Sequence, residues 1–500
     1  MNSLYLLAVG PDWLVSWLTP LWTICLGALL GLTTLLILWG IAFLVAPKLA
    51  KGVPLIVSEG PLLPIVSTIA IAALLSVPGA FVVRKPLEMI DSIARLPFMG
   101  ERTISAVVPA DAQRAPVPFG FRGGEIVAIS MASDGLVEVA DAELLEDQVA
   151  LAVEIGPGLP EFKWERRQQL KTLYGEALIE NLYFTNLSGV DANVTVTVTT
   201  GPAYAEVSAI PITTLSVIVL VLLYVIQATV FPRVSAIALS TSKSELAQPL
   251  FWILASVGVA LLILFLFLPY NTFGEDIKML KDSSLTLIMV MGIIQGVWAA
   301  SNSVADEIEG RTALTVLSKP IGRRQFIFGK VLGILWTVFL LFLVLGIALV
   351  VVVSYKPIYD AREMGSETPE WTLSHLEVML TIPGLVLAFF EATVMVCLSV
   401  AISTRLPMLA NFVICFTVYV LGHITPLIVQ SNIQFAPVKF IGQLIATILP
   451  VLDHFNIQAA VAAGRAVPYH YLGWALVYCL LYSGIALVVA LALFEDRDLA

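Results

Sequence analysis

About nine apolar runs, each near the roughly 20 residues a helix needs to cross a bilayer, dominate this chain and decide its fold class. They fall at 21–46, 62–83, 208–231, 250–270, 284–303, 331–354, 378–402, 408–428 and 471–494. Of the 500 residues, 58% are hydrophobic and only 13% charged, with a mean hydropathy of +0.92. A soluble globule of that balance would have to cover its surface with apolar side chains. The expectation is an α-helical polytopic membrane protein of about nine transmembrane helices. A net charge of −10 and a pI near 5.0 argue against a nucleic-acid partner. Cys25, Cys397, Cys415 and Cys479 all lie in apolar runs without metal-type spacing, so they read as core thiols rather than a disulfide framework.

The first basic residue, Lys48, follows the first apolar run. A secretory leader carries its positive charge ahead of its apolar stretch, so this run reads as a retained anchor with the N-terminus outside. Counting from there puts 47–61, 232–249, 304–330, Arg405 and the tail Phe494–Asp498 inside, and 84–207 outside. Arg311, Lys319, Arg323, Arg324 and Lys330 load one short loop with positive charge, as the inside location asks. Arg84 and Lys85 run against that count at the outer end of the second span. The expected location is the cell (inner) membrane, multi-pass, with the C-terminus inside.

Residues 85–207 form the only sizeable stretch without a span. Val194, Val196 and Val198 alternate with Thr195, Thr197 and Thr199, which is strand periodicity. Further strands are expected at 126–131, 136–140 and 149–155, a helix at 163–175, and a Pro- and Ala-containing connector at 109–118. The reading is an inserted extracytoplasmic β-rich domain. The chain then divides into a two-helix membrane region (1–84), this domain (85–207), a third span (208–231) and a six-helix region (232–500).

The densest chemistry is DEIEGRTALTVLSKPIGRRQFIFGK, residues 306–330, wedged between two spans. Asp306, Glu307 and Glu309 suit the first turn of a helix, whose N-terminus is electropositive. Val304, Ile308, Leu314 and Leu317 form a loose apolar face, and Lys319-Pro320 stops the helix. A solvated loop obeying the positive-inside rule is the plainer alternative, but such a loop has no need of an amphipathic helix with a proline stop.

These residues carry a resemblance. From Phe231 onward the layout resembles the six-span core of the type-2, exporter-like ABC transporter permeases. That family has an amphipathic elbow helix before its first core span, and 232–248, with Arg233, Val234, Ile237, Lys243 and Glu245, occupies that place. Its short cytoplasmic coupling helix follows its second span. Glu307, Glu309, Gly310, Leu314, Leu317, Ser318, Pro320, Arg323, Arg324, Gly329 and Lys330 match its pattern of acidic pair, leucine turn, Pro step and basic re-entry. The tail Phe494–Leu499 is also similar. Within the family the chain most resembles the multicopper-enzyme-maturation-type permease group, although its first three spans and outer domain depart from the minimal six-span plan.

The resemblance implies a homodimeric or heterodimeric permease in membrane lipid, worked by a separate ABC ATPase that uses ATP and Mg. It assigns ATPase coupling to Glu307, Glu309, Gly310, Leu314, Leu317, Pro320, Arg323 and Arg324. This chain has no Gly-x4-Gly-Lys-Ser/Thr loop of its own to cradle phosphates; 322–331 comes nearest, with the wrong spacing and Val331 at its end. No cofactor bound by this chain is expected, and no His-Glu-x-x-His or Gly-x-Ser-x-Gly motif points to an enzyme.

Glu391 interrupts the span 378–402 near its centre. An ionisable group at that depth costs roughly 2.5–3.5 kcal/mol on insertion scales, so it faces a cavity, a partner or an interface. Two readings stand, a pathway-lining carboxylate or a packing and dimer contact. Gln295, Asn302 and Asn411 are its candidate polar company, or interhelical glue. His375, His423, His454 and His470 are too scattered for a metal set. The loop 429–470 reads as an interfacial cap or gate, and Trp13, Trp17 and Trp22 as interfacial anchors. The runner-up function is a membrane-anchored receptor or assembly scaffold using the 85–207 domain.

Overall fold

The computed structural model describes residues 11–45, 47, 51–83, 86–140, 153–159, 162–165, 178–269, 275–305, 307, 322–430, 440, 442–444, 448–457, 460 and 464–495. Among them, eight helices are long and apolar enough to cross a membrane. The chain is therefore a multi-pass helical membrane protein. Backbone N–H and C=O groups find no water in hydrocarbon, and a helix satisfies them within its own segment. That is why uninterrupted Leu/Val/Ile runs become helices here despite their β-branched content.

The spans belong to α1 (Asp12–Val45), α2 (Leu62–Leu74, prolonged by the turn Ser76–Gly79) and α3 (Ala209–Val230). A short helix, α4 (Pro232–Leu246), precedes α5 (Pro249–Phe267), and both open on a proline whose missing N–H is no loss in a first turn. Then come α6 (Asp276–Ala300), α7 (Arg323–Glu363), α8 (Trp371–Ser403), α9 (Met408–Gln430) and α10 (Tyr469–Glu495). The remaining expected crossing, 408–428, corresponds to α9, whose apolar stretch, Met408–Ile424, is shorter than the other eight. α6 ends in a π-helical turn, Ser301–Ala305. Such turns are rare and frequent at functional sites.

The two N-terminal spans pack into the later helices. Their side chains Ala28, Ile65 and Ile69 share one apolar core with Phe251, Ile288, Leu341 and Val396 of the later helices. Hydrogen bonds stitch them in. Trp17 Nε1 donates to Val351 O at 3.3 Å, Ser354 Oγ to Trp17 O at 2.7 Å and Thr214 Oγ1 to Gly27 O at 2.9 Å. Trp22 is buried with its Nε1 on Ser76 O, so it packs a helix pair and does not anchor at an interface. Trp13 stacks with Trp17 and carries the Arg362 guanidinium over its ring at 5.2 Å.

α4 lies against α7 through a Gly-x-x-x-Gly pair. A Cβ at Gly329 would sit 2.6 Å from Ile237 Cβ, and one at Gly333 2.7 Å from Ala238 O. Small residues four apart let two backbones approach closely where lipid supplies no hydrophobic drive. Gly333→Leu should therefore push α4 off α7 and destabilise the protein by about 1–3 kcal/mol, the usual effect of overpacking. A thermal melt in detergent checks this, with Gly473→Leu, whose Cβ would meet open space, as the neutral control.

Residues 84–212 form a second compact unit. Its strands are β1 (Glu101–Val108), β2 (Ala115–Arg122), β3 (Ile126–Ser133), β4 (Val137–Ala140), β5 (Val153–Ile155), β6 (Phe162–Glu165), β7 (Leu178–Asn186) and β8 (Ala192–Thr200). They make two antiparallel sheets of order β1-β8-β3-β6 and β2-β7-β4-β5. Ile129, Met131, Val196 and Val198 of the first sheet share a core with Val137, Val139, Leu182 and Phe184 of the second. The valines of the Val/Thr alternation face that core, as its period of two requires.

Two expectations for this unit change. Residues 162–165, at the start of the expected helix, form strand β6, while 166–177 lie outside the described residues. The expected connector 109–118 runs into strand β2, whose Pro116 and Pro118 are tolerated because β2 is an edge strand.

Candidate functional site

The expected coupling segment lies mostly outside the described residues. Glu309, Gly310, Leu314, Leu317 and Pro320 fall there, while Glu307, Arg323 and Arg324 are described. What flanks the segment is a set of charged groups held by packed helices. Glu307 Oε1 accepts a hydrogen bond from Lys330 Nζ at 2.6 Å, and the Lys330 side chain is only 5% exposed. The same ammonium lies 5.5 Å from the Phe326 ring, which stacks on Phe494 of α10. Arg323 covers the other ring, 5.9 Å from the Phe494 centroid, and donates from Nη1 to Glu495 O at 2.6 Å. Gln325 Oε1 accepts from the Gly322 N–H at 3.2 Å and starts α7. Arg324 is exposed.

α4 joins the same end. Gln248, just after it, accepts at Oε1 from Trp298 Nε1 (2.7 Å) and from Asn302 Nδ2 (3.1 Å), tying it to the π turn of α6. Glu245 is buried, 1% exposed, with Oε2 lacking a hydrogen-bond partner. Its carboxyl is pushed up to about 7, first by burial, with the Lys330 ammonium opposing and the Glu307 charge adding. Glu245 was expected in an elbow helix, but its burial was not legible, because Lys330 and Glu307, far along the chain, come beside it only in the fold.

A pH dependence follows. Unfolded, Glu245 titrates near 4.5, so between that value and about 7 the folded protein holds the extra proton. Stability conferred by this group therefore falls as pH rises through that window and levels off above it. Glu245→Gln should flatten the dependence and stabilise the protein at pH 8 by up to about 3 kcal/mol. Melting curves of both proteins at pH 5 and pH 8 decide it.

Asn411 sits in the first turn of α9, with Nδ2 at 3.0, 2.8 and 2.8 Å from the hydroxyls of Ser301, Ser399 and Ser403. Asn302 and Asn411 thus belong to the end near residue 307, and they are not the company of Glu391. Gln295 is fully buried, and neither of its amide atoms has a hydrogen-bond partner.

Glu391 instead faces a cavity of about 140 Å³ nearer the opposite end of the helices. Asp282, Thr286 and Met289 line it from α6, and Gly384, Ala388 and Glu391 from α8. Each set is spaced i, i+4, i+7, so each presents one face of its helix. α9 contributes Tyr419 and His423, whose Nε2 lies 3.6 Å from Glu391 Oε1. Asp282, Tyr419 and His423 were not legible as partners of Glu391, since spacing within one helix says nothing about its neighbours. A second, apolar cavity of about 440 Å³ opens between α1, the end of α2 and α7. Among the described residues, no group of three or more His, Cys, Asp or Glu is placed to hold a metal ion. Comparison of the chain with protein-family models and with curated protein sequences returns no match.

Proposed function

We propose that this chain is the permease subunit of an ABC transporter, with export the favoured direction and a separate ATPase supplying the energy. The observation that carries the reading is the construction of the helix ends around residue 307. α4, the π turn after α6, the start of α7 and the end of α10 are tied together there by Gln248, Glu307, Lys330, Arg323 and Phe494. A push on the segment between residues 307 and 322 would reach four helices at once. Packed helices respond to such a push as rigid bodies, which is what alternating access requires.

In this reading α4 is the elbow helix, and 306–324 docks the ATPase, which consumes ATP and Mg. The end bearing residue 307 lies in the cytoplasm, and Glu391 lines the substrate path. A second permease, identical or related, completes the channel. A photoreactive amino acid placed at Arg324 tests the docking site. Irradiation of intact membranes is expected to cross-link the chain to a protein that a reactive ATP analogue also labels. Cross-links to lipid alone would count against it.

The two-sheet unit with its own core favours a second reading, a membrane-anchored receptor or scaffold in which the helices only hold that unit. It predicts partners for residues 84–212 and none for the loop.

A further inference from the structure

Resting on the permease reading, we propose that the Glu391 cavity binds a small organic cation, an amine or quaternary ammonium group on an apolar body. Glu391 is 2% exposed, and its Oε1 has no hydrogen-bond partner. A carboxylate at this depth without a counter-charge is costly, and groups of this kind in membranes face a pathway or pair with a cation. Of the basic groups nearby, Lys281 is committed to Glu377, and His423, whose Nε2 lies 3.6 Å from Glu391 Oε1, is a counter-charge only when protonated. Asp282 adds a second carboxyl to the cavity, and among the described residues no ion pair neutralises it.

The remaining wall fits the rest of such a molecule. Tyr419 and Phe455 bring aromatic faces, which attract ammonium groups, and Leu285 and Met289 are apolar. About 140 Å³ admits a headgroup or a small amine and excludes a folded chain. The cation can come from a free amine or from the headgroup of a lipid, and both share this chemistry.

The test is direct binding of radiolabelled 2-phenylethylamine to the full chain, purified in a maltoside detergent, read by scintillation proximity. Saturable binding is expected. Unlabelled 2-phenylethylamine should displace it, and neutral 2-phenylethanol or anionic 3-phenylpropanoate should not. Glu391→Gln should weaken binding at least about tenfold. Thr286→Trp, which fills the cavity from its lining and leaves both acids in place, should do the same while eluting as a single species on gel filtration. Displacement by added phosphatidylethanolamine would assign the cation to a lipid headgroup; its failure would assign it to a free amine.

Equal displacement by the alcohol, unchanged binding in Glu391→Gln, or no saturable binding at millimolar amine would overturn the proposal. Glu307→Lys should keep the binding. An unaltered chain that recruits no ATPase yet still binds the amine would sink the permease reading and leave the cation site standing.

Discussion

Glu307→Lys is expected to abolish ATPase stimulation, by about tenfold or more, while the chain still inserts into the membrane. Glu307 is at once the partner of a buried lysine and the last described residue before the loop. Replacing it sets two ammonium groups side by side where one is 5% exposed. Removing one member of a buried pair costs about 3–5 kcal/mol. The Glu307 side chain is 32% exposed, so about 2 kcal/mol is the better expectation here. That loss leaves a folded protein. The charge-swapped double variant, Glu307→Lys with Lys330→Glu, should recover stability, since the pair re-forms with its signs exchanged. It should not recover stimulated hydrolysis if an acid at position 307 meets the partner. Hydrolysis unchanged in the single variant would remove Glu307 from the coupling assignment.

Asn411→Leu should have the second largest effect. One amide serves three serine hydroxyls from the π turn, from α8 and from its last turn, and Asn411 Oδ1 accepts from Cys415 Sγ at 3.2 Å. All these groups are buried, so leucine leaves several of them without a partner and none can turn to water. A loss of about 2–4 kcal/mol is expected. Ser399→Ala removes one of three acceptors and should cost under about 1 kcal/mol. A single melting experiment on the two variants compares them. Equal destabilisation would mean that the knot is not centred on Asn411.

Hydropathy made the membrane class legible, because each span had to satisfy its backbone within itself. Helix ends were less legible. α7 was expected to stop at 354 but continues to Glu363. Lys356 and Asp360 lie beyond the expected end, and the Lys356 side chain is 1% exposed and paired with Asp360 at 2.8 Å. α1 starts at Asp12, nine residues before the expected 21, because Pro20 is accommodated inside the helix. In the β unit, β8 declared itself by strict alternation. β1, β2 and β7 did not, since edge prolines and mixed polarity blur the period of two.

The site divides in the same way. Glu391 was conspicuous because a carboxyl in the middle of an apolar run is expensive. Of the two readings open for Asn302 and Asn411, their hydrogen bonds fit interhelical glue, away from Glu391. Asp282 and His423 share the cavity only because α6, α8 and α9 converge there. The sequence signal at 306–330 was strong, and of its described flanks Glu307, Arg323 and Lys330 each make a charged contact.

The most direct test of the central claim is purification of the tagged chain from native membranes in mild detergent, with ATP hydrolysis measured on the eluate and its proteins identified. The permease reading predicts a co-purifying ATP-binding-cassette protein and Mg-dependent hydrolysis, both lost when residues 306–324 are replaced by a Gly/Ser linker. Recovery of the chain alone, or only with proteins bound to residues 84–212 and without hydrolysis, would contradict it.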